Sequence, residues 1–430
     1  MKNALIIKNV NVFDSEKGIF NPAKDILIEG KLITKVHNFL KGGANKKIID
    51  CSGKYALPGL FECHGHLSFL YKEGQDRIKT LQNFILSGIT QVRDVGGSLN
   101  ILRELKRDIS NKTILGPTIF YSGPMLERSP LTWEKYNQEL PGFTVAVNTI
   151  EDADKIINKL VNQRVSLVKT FFNWDENVHL HLVKEANKVR LPVSHDPGPP
   201  LYQSISMEKA IEHGVKCIEH AHNPFQSILK RDFVIKHNEI LKSNPIPETR
   251  KEFTNKIFSL WRKAISLDKL TRLCKKMIEH NVFFCPTMTV YKKELFKDYF
   301  DEEFPQDPKD VKRLEDLEDI SKFLVKEMVK YKVKMLIGSD HYNPKFTLEE
   351  MQSLQKLGLV ESEIIKGATI YPAQWLGVKN YYGSIESHKL ANILIVNKNP
   401  LKNIKNLYDP YMVIYNGREV VCRGSTAFSH

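Results

Sequence analysis

Short apolar stretches alternate with amphipathic ones along most of the chain, and this alternation limits the fold more than any other feature. Eight apolar stretches have the length and composition of buried strands: residues 56–62, 90–95, 118–122, 166–172, 191–196, 216–220, 282–289 and 335–339. Stretches with helical periodicity lie between them, for example 151–163, 178–189 and 207–213. This alternation is typical of parallel strands linked by helices. Eight such units predict an α/β fold, a (β/α)8 TIM-type barrel, over residues 56–377.

Both ends of the chain have a different pattern, in which short strands are separated by tight turns. Residues 1–55 and 378–430 contain several short runs rich in β-branched residues. Asn416-Gly417 is a strong signal for a two-residue hairpin turn. We predict that the two ends together form a small β-sandwich-like accessory domain. Two stretches rich in Lys, Glu and Leu, near 223–280 and 291–334, are predicted to be helical insertions in the barrel.

The charge pattern bears on the class of partner. The chain has 63 Lys and Arg against 50 Asp and Glu, a formal charge of +13. The lysines are scattered through helical stretches, which predicts a solvated basic surface that could also steer an anionic small molecule. We expect no nucleic-acid partner, because no zinc-finger spacing or aromatic-basic motif occurs. We expect no membrane partner either, because there is no apolar window of about 18 residues.

The cysteines bear on the cellular compartment. Six of them are widely spaced along the chain: Cys51, Cys63, Cys217, Cys274, Cys285 and Cys422. No Cys-x-x-Cys pair occurs, and several lie inside apolar runs, as buried thiols of a reduced protein do. A cytoplasmic location is therefore expected, or a periplasmic one if a leader has been removed.

Two histidines follow the first predicted strand of the barrel. His64 and His66 are separated only by Gly65. Side chains at positions i and i+2 of an extended strand point to the same side, so both imidazoles can reach one ion. Neutral imidazole is a common metal ligand in proteins. For this pattern alone, two core or surface histidines near a turn are the alternative interpretation.

Other ionisable residues occur near the ends of later predicted strands. Lys169 lies in the fourth, His195 and His220 end the fifth and sixth, and Asp340 follows the eighth. A buried ionisable group needs a partner or a metal. Each of these residues has a structural explanation when taken alone. Together they lie at the strand ends where such barrels carry their active residues, and they predict a metal site.

The residues and the motifs around them resemble the amidohydrolase superfamily, specifically its binuclear metal-dependent branch. The resemblance extends over nearly the whole chain and includes PGLFECHGH at 58–66, TQVRDVGG at 90–97 and ATIYPAQWLG at 368–377. Within the superfamily, the chain is most similar to the imidazolonepropionase-like and Xaa-Pro dipeptidase (prolidase-like) group. That group includes carboxypeptidase-like members and ochratoxin-type amidases.

The resemblance implies two divalent metal ions, expected to be zinc. Their ligands would be His64, His66, Lys169, His195, His220 and Asp340. The histidines of the first strand and the aspartate of the eighth would hold one ion, and the histidines of the fifth and sixth strands would hold the other. Lys169 would be carboxylated by CO2 and would bridge the ions. An ammonium cannot ligate a cation, whereas a carbamate offers two anionic oxygens.

The chain departs from the family pattern at three places. Glu62 stands where the family more usually has Asp. The fifth-strand motif of the family commonly reads His-Ala-His, and here the chain reads His195-Asp196-Pro197-Gly198. Residues 388–392 replace a usual Gly-Lys-x-Ala-Asp, which concerns only the β domain. The difference after His195 concerns the substrate pocket.

The implied reaction is hydrolysis of a C–N bond, in an amide or peptide-like substrate, by a metal-bridged hydroxide. A small molecule such as a dipeptide or an N-acyl amino acid is the expected substrate. Asp340 would act as general base and then as general acid. Tyr121, His222 and His341 are candidate substrate-binding residues. For each of these three, a packed or solvated polar side chain is the alternative.

Other functions stay open on the sequence. The same site could hydrolyse a cyclic amide, a lactone or other ester, or a phosphotriester. A mononuclear deaminase is a second alternative, against which Lys169 argues. A non-catalytic scaffold is a third, against which the complete set of predicted ligands argues. A homo-oligomer is an expected assembly, because related proteins often form one.

Overall fold

The computed structural model of the protein describes residues 4–41, 46–71, 76–198, 204–242, 255–292 and 308–421. Cys422 and the last residues of the predicted accessory domain lie outside these ranges. Residues 243–254 and 293–307, which are parts of the two predicted helical insertions, also lie outside them.

Strands from both ends of the chain pair in one sheet. They are β1 (Ala4–Asp14), β2 (Ile19–Glu29), β3 (Leu32–His37), β4 (Lys46–Asp50), β5 (Tyr55–Pro58), β15 (Ile393–Val396), β16 (Pro410–Tyr415) and β17 (Arg418–Val421). Among the described residues the order is β17-β16-β15-β5-β1-β2-β3, and β4 pairs with β1. The antiparallel pairing of β15 with β5 therefore joins the C-terminal strands to the N-terminal ones.

The predicted hairpin near the C-terminal end is confirmed. β16 and β17 pair antiparallel, and Tyr415 lies opposite Arg418. Asn416 and Gly417 between them have φ of 50° and 74°. Such a turn needs two residues with positive φ, which Asn and Gly adopt at low cost. A side chain at Gly417 would also collide with the carbonyl oxygen of Gly30, so this turn requires glycine.

Nine further strands form two parallel sheets in the described part of the chain. They are β6 (Leu60–Gly65), β7 (Ile89–Asp94), β8 (Thr118–Tyr121), β9 (Met125–Glu127), β10 (Thr144–Ala146), β11 (Val168–Thr170), β12 (Val193–His195), β13 (Cys217–Glu219) and β14 (Phe283–Cys285). One sheet has the order β6-β7-β8 and the other β10-β9-β11-β12-β13-β14. The predicted α/β class is confirmed.

The predicted strand at 56–62 is divided between two sheets. β5 belongs to the chain-end sheet, and β6 begins the first parallel sheet. Pro58 has no N–H to donate to a sheet, and Gly59 lacks a side chain. These two residues therefore permit the change of direction between β5 and β6. A Cβ at Gly59 would lie 2.0 Å from the Thr90 hydroxyl.

Backbone hydrogen bonds link the two parallel sheets. The amide of Ser166 donates to Tyr121 at 2.9 Å, between the segments that contain β8 and β11. At the other side, Met335 forms a parallel bridge with Phe284 of β14. The amide of Cys63 in β6 then donates to Ile337 at 2.8 Å. The predicted strand at 335–339 therefore lies between the last and the first of the parallel strands.

Helices follow most of the parallel strands. They are α1 (Arg77–Leu86), α2 (Leu99–Ser110), α3 (Ile150–Asn162), α4 (Glu176–Lys188), α5 (Met207–His213), α6 (Pro224–Ser227), α7 (Arg231–Lys242), α8 (Trp261–Ala264), α9 (Leu267–Glu279), α10 (Pro308–Lys330), α11 (Pro344–Lys356), α12 (Glu361–Gly367) and α13 (Ile370–Trp375). The helices predicted at 151–163, 178–189 and 207–213 are confirmed as α3, α4 and α5. In the described ranges, none of the helices combines the length and the apolar character that crossing a membrane needs.

The parallel strands are buried on both faces. One face packs against the helices and includes Val92, Val168 and Ile218. On the other face, a separate cluster includes Phe61 and Phe120. Strands buried on both sides read as continuous apolar runs, as the sequence predicts. The cysteines among the described residues are buried and free of disulfides.

Candidate metal centre

Three imidazoles and one carboxylate meet at the C-terminal ends of the parallel strands. The Nε2 atoms of His64 and His66 lie 3.5 and 3.0 Å from Oδ1 of Asp340. Nδ1 of His220 lies 3.9 Å from Oδ2 of the same carboxylate. Ligand atoms of His64, His220 and Asp340 lie within 4.8 Å of one another. The structure thus brings together four of the six predicted ligands.

The rings of His64 and His66 are oriented through their Nδ1 atoms. Nδ1 of His64 lies 2.8 Å from a carboxylate oxygen of Glu219, and Nδ1 of His66 lies 2.8 Å from the carbonyl of Gly96. Both partners accept hydrogen bonds, so both Nδ1 atoms carry the proton and both Nε2 lone pairs face Asp340. A carboxylate oxygen opposite two lone pairs needs a cation between them, either a proton or a metal ion. The donor set therefore fits a divalent metal.

Burial keeps the imidazole of His64 neutral. Removal from solvent lowers the pKa of His64 to about 3, against the opposing attraction of Asp340 and Glu219. A neutral imidazole is the form that binds a metal. For Asp340, burial opposes ionisation, but the electrostatic interactions with the imidazoles of His64 and His66 outweigh it and hold the pKa of the carboxyl well below its ordinary value. This carboxylate is therefore anionic at neutral pH.

Two site residues have strained backbones. His220 and Asp340 have φ of 68° and 62°, in the left-handed region that non-glycine residues rarely adopt. His220 directly follows β13, and Asp340 follows the segment that bridges to β14 at Met335. This conformation turns each side chain toward the centre. Such strain persists only where the surrounding structure enforces it, which is typical of functional sites. Gly338 assists this arrangement, since a Cβ there would lie 2.7 Å from the backbone nitrogen of His64.

A buried ion pair between Arg93 and Glu219 lies behind the ring of His64. Nη2 of Arg93 donates hydrogen bonds to the two carboxylate oxygens of Glu219, at 2.8 and 3.0 Å. Both residues are fully buried. Burial opposes the charge on Glu219, but Arg93 and His64 keep the pKa of this carboxyl well below its ordinary value. Glu219 therefore stays anionic and can hold the proton of His64 on Nδ1, which leaves Nε2 for a metal.

Replacing Glu219 with Gln should weaken metal binding and stability together. The loss of the charge behind His64 is expected to weaken Zn²⁺ binding by about 10- to 100-fold. Arg93 would lose its charged partner, which is expected to destabilise the fold by about 3 kcal/mol or more. Competition with a chelating dye and thermal unfolding would measure the two effects. Glu363→Gln, which breaks the partly exposed pair with Lys366, is the matched control and should change neither. Unchanged zinc affinity in Glu219→Gln would contradict this role.

Lys169 lies in β11 with its amine fully enclosed. The residue is 1 % exposed, and among the described residues its Nζ has no hydrogen-bond partner. A carboxylate oxygen of Asp196 lies 3.9 Å away, beyond hydrogen-bonding distance. A buried amine without partners is costly. Its environment thus suits the predicted carboxylation, which would replace the ammonium with two acceptor oxygens.

The structure does not bring His195 into the cluster. Its Nδ1 lies 2.7 Å from the hydroxyl of Thr170, its Nε2 lies 3.0 Å from the carbonyl of Ile205, and its ring contacts His179 of α4. In this geometry both ring nitrogens of His195 are directed away from the cluster. Successive residues of a strand face opposite sides, so in β12 His195 faces the helices and Asp196 faces the centre. Asp196 Oδ2 lies 3.0 Å from Nε2 of His220.

The three candidate substrate-binding residues are placed differently. The Tyr121 hydroxyl donates to the carbonyl of Gln163, next to α3, and its ring belongs to the helix-side core. Tyr121 therefore faces the helices, and Phe120 is the residue of β8 that faces inward. His222 lies beside the cluster, 6.3 Å from the ring of His220, with Nδ1 2.6 Å from the Tyr291 hydroxyl.

His341 follows Asp340 but turns its ring toward its own segment. Its Nδ1 accepts a hydrogen bond from the amide of Asn343, and its ring stacks on Tyr342. Substrate contacts by His222 and His341 stay predictions. The supporting residues that the sequence does not single out are Glu219, Arg93, Asp196 and Thr287. Glu219 directly precedes a predicted ligand, and a charged residue inside an apolar strand was the available signal.

Comparison with known proteins identifies the family and the fold. The pattern of the amidohydrolase family matches residues 55–420. A Xaa-Pro dipeptidase, solved with methionine bound in its active site, is 18% identical, with a TM-score of 0.74 over 97% of this chain and 100% of that one. A putative prolidase from Bifidobacterium longum is 19% identical, with a TM-score of 0.69 over 98% and 95% of the two chains. At these identities, the likeness is one of fold.

One similarity to a curated protein is local. A dihydroorotase of Trichlorobacter lovleyi is 35% identical over 91 residues, which are 20% of this chain and 21% of that protein. The chain thus spans about a fifth of the length of this relative. The family pattern, by contrast, extends over most of the chain and across every strand that contributes to the cluster. The resemblance predicted from the motifs is confirmed, and the chain belongs to the amidohydrolase family.

Proposed function

We propose that this protein is a metal-dependent hydrolase that cleaves the C–N bond of an amide or peptide-like small molecule. The observation that carries the proposal is the pair of Nε2 lone pairs of His64 and His66 directed at one buried carboxylate oxygen of Asp340. These three residues would hold one ion. His220 and a carboxylated Lys169 would contribute to the second. Zinc is the proposed metal, because imidazole and carboxylate ligands suit it.

When bound, a pair of divalent ions supplies hydroxide at neutral pH and polarises a scissile carbonyl. The chain's own groups manage the proton. Oδ1 of Asp340 faces both imidazoles of β6, which leaves Oδ2 to take a proton and pass it to the leaving nitrogen. The lowered pKa of this carboxyl means that it is unprotonated at neutral pH before the reaction begins. Proton transfer of this kind makes a C–N bond easier to break, because an amine leaves in its neutral form.

We also infer that the parallel strands close into a (β/α)8 barrel over residues 56–377, with the chain-end sheet as an accessory domain. The hydrogen bonds from Ser166 to Tyr121 and from Cys63 to Ile337 support closure on both sides. A closed barrel would explain why residues distant in sequence meet at one end. It would also place the cluster where such barrels carry their active residues.

A dipeptide or an N-acyl amino acid is the proposed substrate class, supported by the likeness to prolidase and dipeptidase folds. The net charge of +13 would favour approach of a substrate that carries a carboxylate. A cyclic amide is the second candidate, which the local similarity to dihydroorotases favours. A panel of dipeptides, N-acyl amino acids and cyclic amides would separate them. Turnover of cyclic amides alone would reject the first candidate.

Metal content is the measurement that tests the proposed chemistry. Protein purified without added metal is expected to contain about two zinc ions per chain by elemental mass spectrometry. Removal of the metal with a chelator should abolish hydrolysis, and added Zn²⁺ should restore it, since a water without a metal keeps its pKa near 16. One ion per chain would favour a mononuclear, deaminase-like site. Absence of metal, with no activity after metal is added, would overturn the proposal.

A further inference from the structure

The acidic residue that follows β12 and His195 is buried beside the cluster. Asp196 is 1 % exposed and lies on the inward side of its strand. Its two oxygens have different environments. Oδ1 accepts hydrogen bonds from the side-chain amide of Asn223 at 2.8 Å and from the backbone amide of Gly198 at 3.0 Å. Oδ2 is thereby turned toward the cluster, where it faces His220 and Lys169.

Asp196 and His220 form a direct hydrogen-bonded contact, and its length also suits two ligands that share an ion. Their Oδ2 and Nε2 atoms lie 3.0 Å apart. Ligand atoms about 2.1 Å from a zinc ion lie about 3 to 3.5 Å from each other. The other nitrogen of His220 is held by the Thr287 hydroxyl at 2.8 Å, so Nε2 is the atom directed inward. A divalent cation that replaces the proton between them could therefore bind both atoms.

His195 has no comparable access. Both ring nitrogens have partners on the helix side of β12, and the ring is fully buried. To reach the cluster, this side chain would have to cross the strand. Because side chains alternate along a strand, that crossing requires a shift of the strand by one residue. Such a shift would also turn Ser194, which donates to Glu219, and Asp196 away from the centre.

We infer that Asp196, through Oδ2, is the ligand that β12 contributes to the second ion, in place of His195. This inference rests on the proposed function, since it assigns a residue to the same metal pair. The exchange of an imidazole for a carboxylate adds a negative charge and a harder donor atom. Hard oxygen donors suit Mn²⁺ and similar ions better than soft ligands do. The second position should therefore accept Mn²⁺ readily, alongside Zn²⁺.

Two matched variants separate the adjacent residues. Asp196→Asn removes the charge at nearly constant shape, and His195→Asn removes the imidazole on the other side of the strand. Metal-free protein is titrated with Co²⁺, and binding is followed by visible absorption and by elemental analysis after desalting. We expect about two ions per chain in the wild type and in His195→Asn. We expect about one Co²⁺ ion per chain in Asp196→Asn, because only the ion of the second position is lost.

Loss of the second ion in His195→Asn but not in Asp196→Asn would overturn the inference. Loss of that ion in both variants, or its retention in both, would also overturn it. A wild type that binds no metal would instead overturn the proposed function. If Asp196→Asn does not fold, Asn223→Ser gives a second measurement, because it removes the amide that orients Oδ1. It should weaken the second equivalent by about 10- to 100-fold and leave the first unchanged. Equal affinities for both equivalents in Asn223→Ser and wild type would overturn the inference.

Discussion

Asp340→Asn is expected to lower kcat/KM for an amide substrate by about 1,000-fold. Proton transfer by a positioned side chain contributes about 10²- to 10⁴-fold to a rate, and an amide cannot accept the proton. The substitution keeps the size of the side chain and the oxygen that faces His64 and His66. It should therefore affect catalysis more than folding. Steady-state kinetics on the best substrate of the dipeptide or cyclic-amide panel would measure the loss.

Two controls separate proton transfer from metal loss in Asp340→Asn. Metal content is measured on the same sample, and the rate is compared at equal occupancy. Asp154→Asn is the matched variant, because Asp154 is half-exposed and pairs only with His181 among its described contacts. It should retain the wild-type rate. Unchanged hydrolysis in Asp340→Asn at full occupancy would reject Asp340 as the group that moves the proton.

Much of the site could be predicted because its ligands end apolar strands. His64, His66, His220 and Asp340 each follow a run of residues that is buried on both faces. A polar residue at such a position stands out in the sequence, since burying it without a partner is costly. Parallel strands also bring their C-terminal ends to one side, so residues distant in sequence were expected to meet. The structure confirms that these four residues meet.

A single sequence does not determine which side of a strand a residue faces. His195 and Asp196 are adjacent and both polar, so composition cannot decide which of them points inward. That choice depends on strand register, which is set by long-range pairing such as that of Lys169 with Ser194. The same ambiguity explains Tyr121, which faces the helices while Phe120 faces inward. Only the three-dimensional pairing of the strands resolves such cases.

Glu219 and Arg93 were missed for a different reason. Glu219 directly precedes the predicted ligand His220, and Arg93 lies inside the TQVRDVGG motif at 90–97. Their role depends on a contact between β7 and β13, which are separated by more than 120 residues and belong to different parallel sheets. A single sequence has no local signal for such a pair. An unexplained charge inside a buried strand was the only indication that a partner must exist.

Lys169→Ala is expected to lower the rate of hydrolysis by at least about 100-fold. Loss of a group that only supports a metal ligand costs up to about 100-fold, and the loss of a ligand itself should cost at least as much. The amine of Lys169 is buried and without a hydrogen-bond partner among the described residues. On reaction with CO2 its nitrogen would form a bond to carbon and release a proton, which gives a carbamate. Truncation to Ala removes this group and leaves a cavity about as long as the side chain. Hydrolysis assays would measure the loss.

A short carboxylic acid should restore part of the activity of Lys169→Ala. Acetate or propionate can enter the vacated space and offer the two anionic oxygens that the carbamate would supply. Lys169→Met is the matched control, because its apolar side chain fills the same space, and no acid should rescue it. If Lys169 acted only as a positive charge beside Asp196, 3.9 Å away, added carboxylate would worsen the imbalance of charge and lower the remaining activity. Rescue of Lys169→Ala by acetate, without rescue of Lys169→Met, would therefore indicate a bridging carbamate and not a counter-ion. Loss of the remaining activity of Lys169→Ala on addition of acetate would reject carboxylation.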